Sequence, residues 1–265
     1  MYTPSSTHPL AILGFGHFGR ALADLAAAAD IPWLACDPHP ETHAKIPAAH
    51  RAANSTDLTT RARTLVLCIP VPATESALTQ LRPHLSPDHL VLDVGSVKLW
   101  PARVMAERLG TDIPWCATHP LFGPVSLSRN ECPLRVVVCP NDLHPTAAAR
   151  ACALYEALGC QVTELDADTH DRHMAETHAM AFFIARAMLD LDSGNTTPAA
   201  RELLTPSFRA MAQTVDTVRG DAGHLFDLIQ QGNPHAAEAR RAFIDALTKI
   251  DQSLLTPPDD DAAQP

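Results

Sequence analysis

Short apolar runs separated by longer stretches with helical apolar spacing fill the first two thirds of the chain. Leu10-Ala11-Ile12-Leu13 is the first run of strand length, and the Ala- and Leu-rich residues 17–29 follow it as a helix. Residues 31–36, 64–69, 90–94, 115–118, 134–139 and 161–165 are further strand-length apolar runs, each bounded by Pro, Gly or Asp. Between them, residues 73–81, 100–109 and 145–158 carry apolar side chains at helical intervals. Strands that alternate with helices form βαβ units, and such units build a mostly parallel sheet covered by helices on both faces. An α/β domain over residues 1–167 is therefore predicted.

Beyond Asp168 the strand signals stop. Helix-compatible stretches occupy 168–191, 199–218, 222–231 and 234–254, which predicts an all-helical domain over 168–254. Its first stretch is rich in Ala, Met and Phe and apolar on more than one side, as in a helix buried among neighbours or at a subunit interface. A homodimer formed through the helical half is expected. The tail 255–265, rich in Pro and Asp, reads as disordered.

Composition narrows the partners. The formal charge is -10, with no block of Lys and Arg, which removes the electrostatic footprint of a nucleic-acid binder. Apolar runs such as 26–29 and 179–185 fall short of the roughly 20 residues that span a bilayer, so no membrane segment is expected and the location is read as cytoplasmic. Seven cysteines are scattered without CxxC spacing, several within strand-like runs, and read as buried free thiols.

Gly14-Phe15-Gly16-His17-Phe18-Gly19 follows the first strand and opens the first helix. In that context the first two glycines permit a tight turn and close approach of backbone to a pyrophosphate. The third lets helix and strand pack closely, and the helix N-terminus offers unpaired N–H groups. Gly14, Gly16, His17, Phe18 and Gly19 are thus candidate cofactor contacts, and the predicted sheet is of the Rossmann type. Asp37 ends the second strand about 20 residues further on, where a carboxylate accepts hydrogen bonds from an adenosine ribose and repels a 2'-phosphate. NAD is expected in preference to NADP.

Three more segments narrow the chemistry. Asp93-Val94-Gly95-Ser96-Val97-Lys98 ends one strand, Thr118-His119-Pro120-Leu121-Phe122-Gly123-Pro124 ends the next as a rigid turn, and His170-Asp171-Arg172-His173-Met174-Ala175 begins the helical half. Strand C-terminal ends face the ligand crevice of an open α/β sheet, so Ser96 and His119 should converge there on a small-molecule substrate. A neutral imidazole accepts a proton well near pH 7, and a positioned base contributes about 10²- to 10⁴-fold in rate.

With the glycine fingerprint, these segments resemble the prephenate and arogenate dehydrogenase family, over residues from about 9 to 250. The resemblance implies oxidative decarboxylation of a cyclohexadienol in tyrosine synthesis, with hydride passing to a nicotinamide. It implies that His119 is the catalytic base and that Ser96 hydrogen-bonds the substrate hydroxyl and the histidine. Lys98 is a candidate substrate contact, and Ile69-Pro70-Val71-Pro72 resembles the family's segment beside the nicotinamide.

The chain departs from the family pattern twice. The family's histidine twelve residues after the H of H-D is Phe182 here, and His178, one turn earlier, is the candidate replacement. Phe208-Arg209-Ala210-Met211-Ala212-Gln213 matches a segment whose arginine grips a carboxylate, with Gln213 in the arginine's place and Arg209 one turn away. Arogenate or an amino-substituted prephenate such as aminodeoxyprephenate then joins prephenate as a candidate substrate. His170, His173 and His178, at spacings of three and five, do not share a helix face as zinc ligands do, and no metal is expected. His170-Asp171 is expected to start the helix and tie the domains together. Two alternatives remain. A 3-hydroxyacid-type dehydrogenase usually carries a lysine on the long helix, and 168–191 has none. A nucleotide-binding protein that has lost catalysis would account for Phe182 and Gln213 but not for intact Ser96 and His119.

Overall fold

The computed structural model describes residues 9–191, 203–219 and 224–255. Its strands are β1 (Leu10–Leu13), β2 (Trp33–Cys36), β3 (Thr64–Leu67), β4 (Leu90–Asp93), β5 (Trp115–Pro120), β6 (Arg135–Cys139) and β7 (Gln161–Glu164). The α-helices of the same part are α1 (His17–Ala28), α2 (Pro40–His43), α3 (Ser55–Arg61), α4 (Thr74–Leu81), α5 (Leu99–Leu109), α6 (Pro124–Ser128), α7 (Pro145–Ala157) and α8 (Ala167–Met174). The seven strands form one sheet in the order β2-β1-β3-β4-β5-β6-β7. All neighbours are parallel except β5 and β6.

Strands β1 to β5 are buried along their whole length, which is why they read as continuous apolar runs. Side chains alternate between two cores. Leu10, Ile12, Val66 and Leu92 join Leu22, Leu154 and Tyr155 on one face, while Ala11, Leu13, Leu65 and Val91 join Leu78 and Met105 on the other. Each fully buried aliphatic side chain contributes about 1.5–3 kcal/mol, so the two layers fix the register of the strands.

The short helices α2 and α6, helix α3 and the length of β5 differ from the sequence expectation. Helix α3 was not foreseen, although its start is coded locally: Asn54 Oδ1 accepts from Asp57 N at 2.9 Å while Asp57 Oδ2 accepts from Ala53 N at 2.8 Å. Strand β5 does not end at Thr118 but continues through His119 and Pro120. Parallel pairing with β4 covers only Trp115 and Cys116, and antiparallel pairing with β6 carries the strand on, with His119 opposite Val137 and Pro120 opposite Val136. The candidate base therefore stands on a sheet strand and not on a turn.

Four of the seven cysteines meet the expectation of buried thiols. Cys36, Cys116, Cys139 and Cys160 are buried free thiols, and burial pushes Cys36 and Cys139 up to about 12. Cys132 is an exposed free thiol.

The chain divides into two compact units, one ending at Asp171 and the other beginning at Arg172, so His170 and Asp171 belong with the sheet. In the second unit the last residues of α8 lead through a π-type turn (Ala175–Ala179) into α9 (Met180–Asp190), followed by α10 (Pro206–Arg219), α11 (His224–Gly232) and α12 (Ala236–Leu255). Small residues Ala175, Ala179, Ala185 and Ala236 pack with Phe182, Val215, Val218 and Ile229 in its core. Buried Gln230 donates to the Ala179 carbonyl at 2.6 Å and accepts from Arg240 at 2.7 Å, giving a partner to a carbonyl at the end of the π turn. Residues 199–202 and 222–223 of the expected helices, and the expected tail apart from Leu255, lie outside the described residues. Among the described residues no helix is long and apolar enough to cross a membrane.

Candidate active site

The strand order reverses on either side of β1, and the glycine loop sits at the C-terminal ends of β1 and β3, where an open α/β sheet forms its ligand crevice. Gly14 has φ +96°, and a Cβ there would lie 2.3 Å from the Cys68 carbonyl oxygen. A Cβ on Gly19 would lie 2.1 Å from the Gly14 carbonyl oxygen. These two glycines are required by the fold itself. Gly16 differs: nothing lies within 4 Å of its Cβ position, and as N-cap of α1 it provides no side-chain cap. The loop thus offers an open approach to uncapped helix N–H groups, as a pyrophosphate requires.

Asp37 Oδ2 accepts from Phe15 N at 2.7 Å and Oδ1 from His39 N at 2.8 Å, so the carboxylate is tied to the glycine loop. Beside it a cavity of about 500 Å³ is lined by Leu13, Cys36, Asp37, His43, Asn54 and Ile69, among others, with no Arg or Lys in its wall. His17 is exposed at the first turn of α1 and Phe18 half-buried. Arg20 Nη2 lies 3.4 Å from His17 Nδ1.

Contacts between motifs bring the remaining segments to the same end of the sheet. Ile69 meets Gly14, and Val71 lies 2.5 Å from the Cβ position of Gly95. Pro70 is exposed between them and caps a short 3₁₀ turn. Phe18 of the glycine loop meets Phe122 of the histidine segment with ring centroids 5.9 Å apart. Ser96 is half-buried on the loop that follows β4.

His119 is almost fully buried, and its Nδ1 lies 2.9 Å from Nε2 of fully buried His170. His170 Nδ1 lies 2.8 Å from Asp171 Oδ1. Asp171 also accepts from Lys98 N at 2.8 Å and Leu99 N at 3.0 Å, the first N–H groups of α5. The Asp171 carboxylate thus accepts at the N-terminus of α5 while it faces the His170 ring. Its acceptor oxygen puts the proton of His170 on Nδ1, which makes His170 Nε2 an acceptor and places the proton of His119 on Nδ1. The ring of His119 then carries its lone pair on Nε2, the nitrogen able to act as base. Sequence reasoning named the His170-Asp171 pair as part of a family motif, a helix start and a tie between the domains, without a role beside His119. The signal for its site role, an adjacent His and carboxylate in a specific motif, was present, but its partner stands 51 residues away.

Lys98 is where the structure corrects the sequence reading most. It is fully buried, neither at the surface nor open to a substrate, with Nζ ion-paired to Asp93 and donating to the Thr118 carbonyl at 2.5 Å. A buried ammonium must be paired in this way, so its charge is used inside the sheet domain.

In the helical unit, Phe182 is buried in the core and His178 packs on it with ring centroids 4.8 Å apart at 56°. Arg209 and Gln213 are exposed one turn apart on α10, Arg209 donating to the Leu204 carbonyl at 3.3 Å. Among the described residues no group of three or more His, Cys, Asp or Glu could hold a metal ion.

A mostly parallel sheet with a glycine loop at its switch point and an uncapped helix end defines a dinucleotide-binding domain. Residues 34–163 match the family model of the prephenate dehydrogenase nucleotide-binding domain, so this part of the chain is similar to that domain. It is 23% identical over 198 residues to a probable arogenate/prephenate dehydrogenase of Methanocaldococcus jannaschii, covering 71% of this chain and 43% of the relative. It is 24% identical over 254 residues to arogenate dehydrogenase 1, chloroplastic, of Arabidopsis thaliana, covering 93% and 39%. The chain thus spans about two fifths of the length of these two relatives. A solved prephenate dehydrogenase from A. aeolicus, in complex with hydroxyphenyl propionate and NAD+, is similar in fold, with TM-score 0.76, 18% identity and coverage of 94% of this chain and 91% of that one.

Proposed function

We propose that this protein is an NAD-dependent dehydrogenase that oxidatively decarboxylates prephenate or arogenate. The observation that carries the proposal is the His119–His170–Asp171 chain, which orients a proton-accepting imidazole at the end of the sheet that holds the glycine loop. Bound nicotinamide supplies the hydride acceptor. The chain's own residues do the rest: α1 and the open face at Gly16 bind the pyrophosphate, Asp37 the adenosine ribose, and Ile69 and Pro70 flank the nicotinamide. The relatives' printed names, and the NAD+ in the A. aeolicus complex, support this assignment.

His119 Nε2 takes the proton of the ring hydroxyl as hydride leaves the same carbon, and Ser96 holds that hydroxyl in line. Loss of the ring carboxylate as CO2 completes an aromatic ring, so aromatisation supplies much of the driving force. Protonation of His119 creates an imidazolium that His170 and the Asp171 carboxylate stabilise through the hydrogen-bond chain. His178, Arg209 and Gln213 are assigned to the substrate's side-chain groups. Gln213 offers hydrogen bonds without the bidentate charge pairing of an arginine, which favours a substrate whose side-chain carboxylate is accompanied by an ammonium group, as in arogenate.

The absence of Arg and Lys from the cavity wall beside Asp37 favours NAD over NADP. The helical unit is proposed to form a homodimer, since Ile244, Leu247, Ile250 and Leu254 are exposed along α12 at intervals of three and four. The test of the whole assignment is NADH and NADPH formation with prephenate and arogenate side by side. Reduction of NAD with either substrate supports it; NAD binding without reduction by either overturns it.

A further inference from the structure

Thr118, the residue before His119, has every polar atom bonded to a buried partner. Its N–H donates to Asp93 Oδ1 at 3.1 Å, and its carbonyl accepts from Lys98 Nζ at 2.5 Å. Its Oγ1 donates to the Asp93 carbonyl at 2.5 Å and lies 2.8 Å from the Tyr155 hydroxyl on α7. A carbonyl can only accept, so the one hydroxyl proton of Thr118 goes to Asp93 and Tyr155 donates to Thr118. Burial pushes the Tyr155 phenol far above its ordinary range, which keeps that donor protonated at all working pH values. Thr118, Lys98 and Tyr155 are fully buried, and Asp93 is 3% exposed.

We infer that Thr118, held by Asp93, Lys98 and Tyr155, is a positioning residue that sets the imidazole of His119 against His170. Neighbouring side chains on a strand point to opposite faces, so the clamp acts on His119 through the backbone they share. Lys98 grips both arms of the site: its ammonium holds Thr118 and its main-chain N–H holds Asp171. The inference rests on the assignment of His119 as base and goes beyond it by naming the residues that hold the base in place.

The test uses Thr118→Val, which keeps the shape and removes the hydroxyl, Tyr155→Phe, which removes only the donor, and Thr118→Ser, which restores the hydroxyl. Readouts are the ¹⁵N signals of the His119 ring, assigned by their loss in His119→Asn, together with kcat, KM and the pH profile of kcat. Thr118→Val is expected to move the ring signals and the pH profile and to lower kcat by about 10- to 100-fold with KM little changed, as for a misplaced reacting group. Thr118→Ser is expected to recover most of that loss. Where Thr118→Val does not fold, Tyr155→Phe carries the same comparison. Unchanged His119 ring signals in a folded variant overturn the inference whatever the activity. Signals that move while the wild type reduces NAD with neither substrate leave the clamp standing and overturn the assigned reaction instead.

Discussion

His119 Nδ1 and His170 Nε2 lie 2.9 Å apart, although 51 residues separate the two histidines in sequence. Only one of these nitrogens can hold the shared proton, and the carboxylate behind His170 decides which. His170→Phe keeps an aromatic ring but removes the acceptor, so His119 loses its orientation and the stabilisation of its charged form. A fall in kcat on the order of 10²-fold is expected, with NAD affinity unchanged. Steady-state kinetics together with fluorescence titration of the nucleotide check this. Asp171→Asn should lower kcat in the same way, and it also weakens the cap on α5, lowering stability by about 1–3 kcal/mol in urea unfolding.

The first two glycines of the fingerprint predict opposite phenotypes. Gly14→Ala forces a Cβ onto the Cys68 carbonyl at positive φ, and a loss of about 2–4 kcal/mol is expected from overlap and strain together. Gly16→Ala meets nothing within 4 Å and should unfold at the wild-type temperature, while its methyl group obstructs the pyrophosphate. Thermal melts with and without NAD separate the two outcomes.

Asp37 is proposed to set cofactor choice through its charge. Asp37→Ser removes the repulsion toward a 2'-phosphate and should shift the NAD/NADP preference by about 10-fold or more toward NADP, a change of about 1.4 kcal/mol or more. The ratio of kcat/KM for the two cofactors reads this directly. An unchanged ratio would remove Asp37 from the specificity argument.

The sheet was legible because β1 to β5 are buried on both faces, so each appears as an uninterrupted apolar run. The glycine loop, Asp37 and His119 were legible because each carries its chemistry in a local motif. The extension of β5 through His119 was not, since it depends on β6 running antiparallel, and strand direction leaves no local pattern. Lys98 was misread for a related reason: its partners, Asp93 and Thr118, meet it only after the sheet has formed. Helix α3 is different, because the Asn54 and Asp57 caps were in the sequence and could have been used.

Acid should loosen the start of the helix that presents His170 and Asp171. Asp166 accepts from Thr169 N at 2.9 Å and Thr169 Oγ1 at 2.6 Å, and these bonds, the side-chain one first, hold its carboxyl below the usual range. A lowered folded-state pKa stabilises the fold above the unfolded value of about 4, and the contribution disappears as pH falls through the folded value. Asp166→Ala should therefore lower stability by about 1 kcal/mol at pH 7, as for a lost N-cap, and the gap to wild type should close in strong acid. Urea unfolding of both proteins across that pH range tests the sign.

In the proposed reaction His119 accepts the hydroxyl proton of an NAD-linked decarboxylation. The most direct test measures NADH and CO2 together, from prephenate and from arogenate, with the wild type and with His119→Asn. Equimolar NADH and CO2 are expected from the wild type with at least one substrate, and turnover lower by about 10²- to 10⁴-fold in His119→Asn with NAD binding retained. Equal turnover by the two proteins, or NADH formed without CO2, would contradict this proposal.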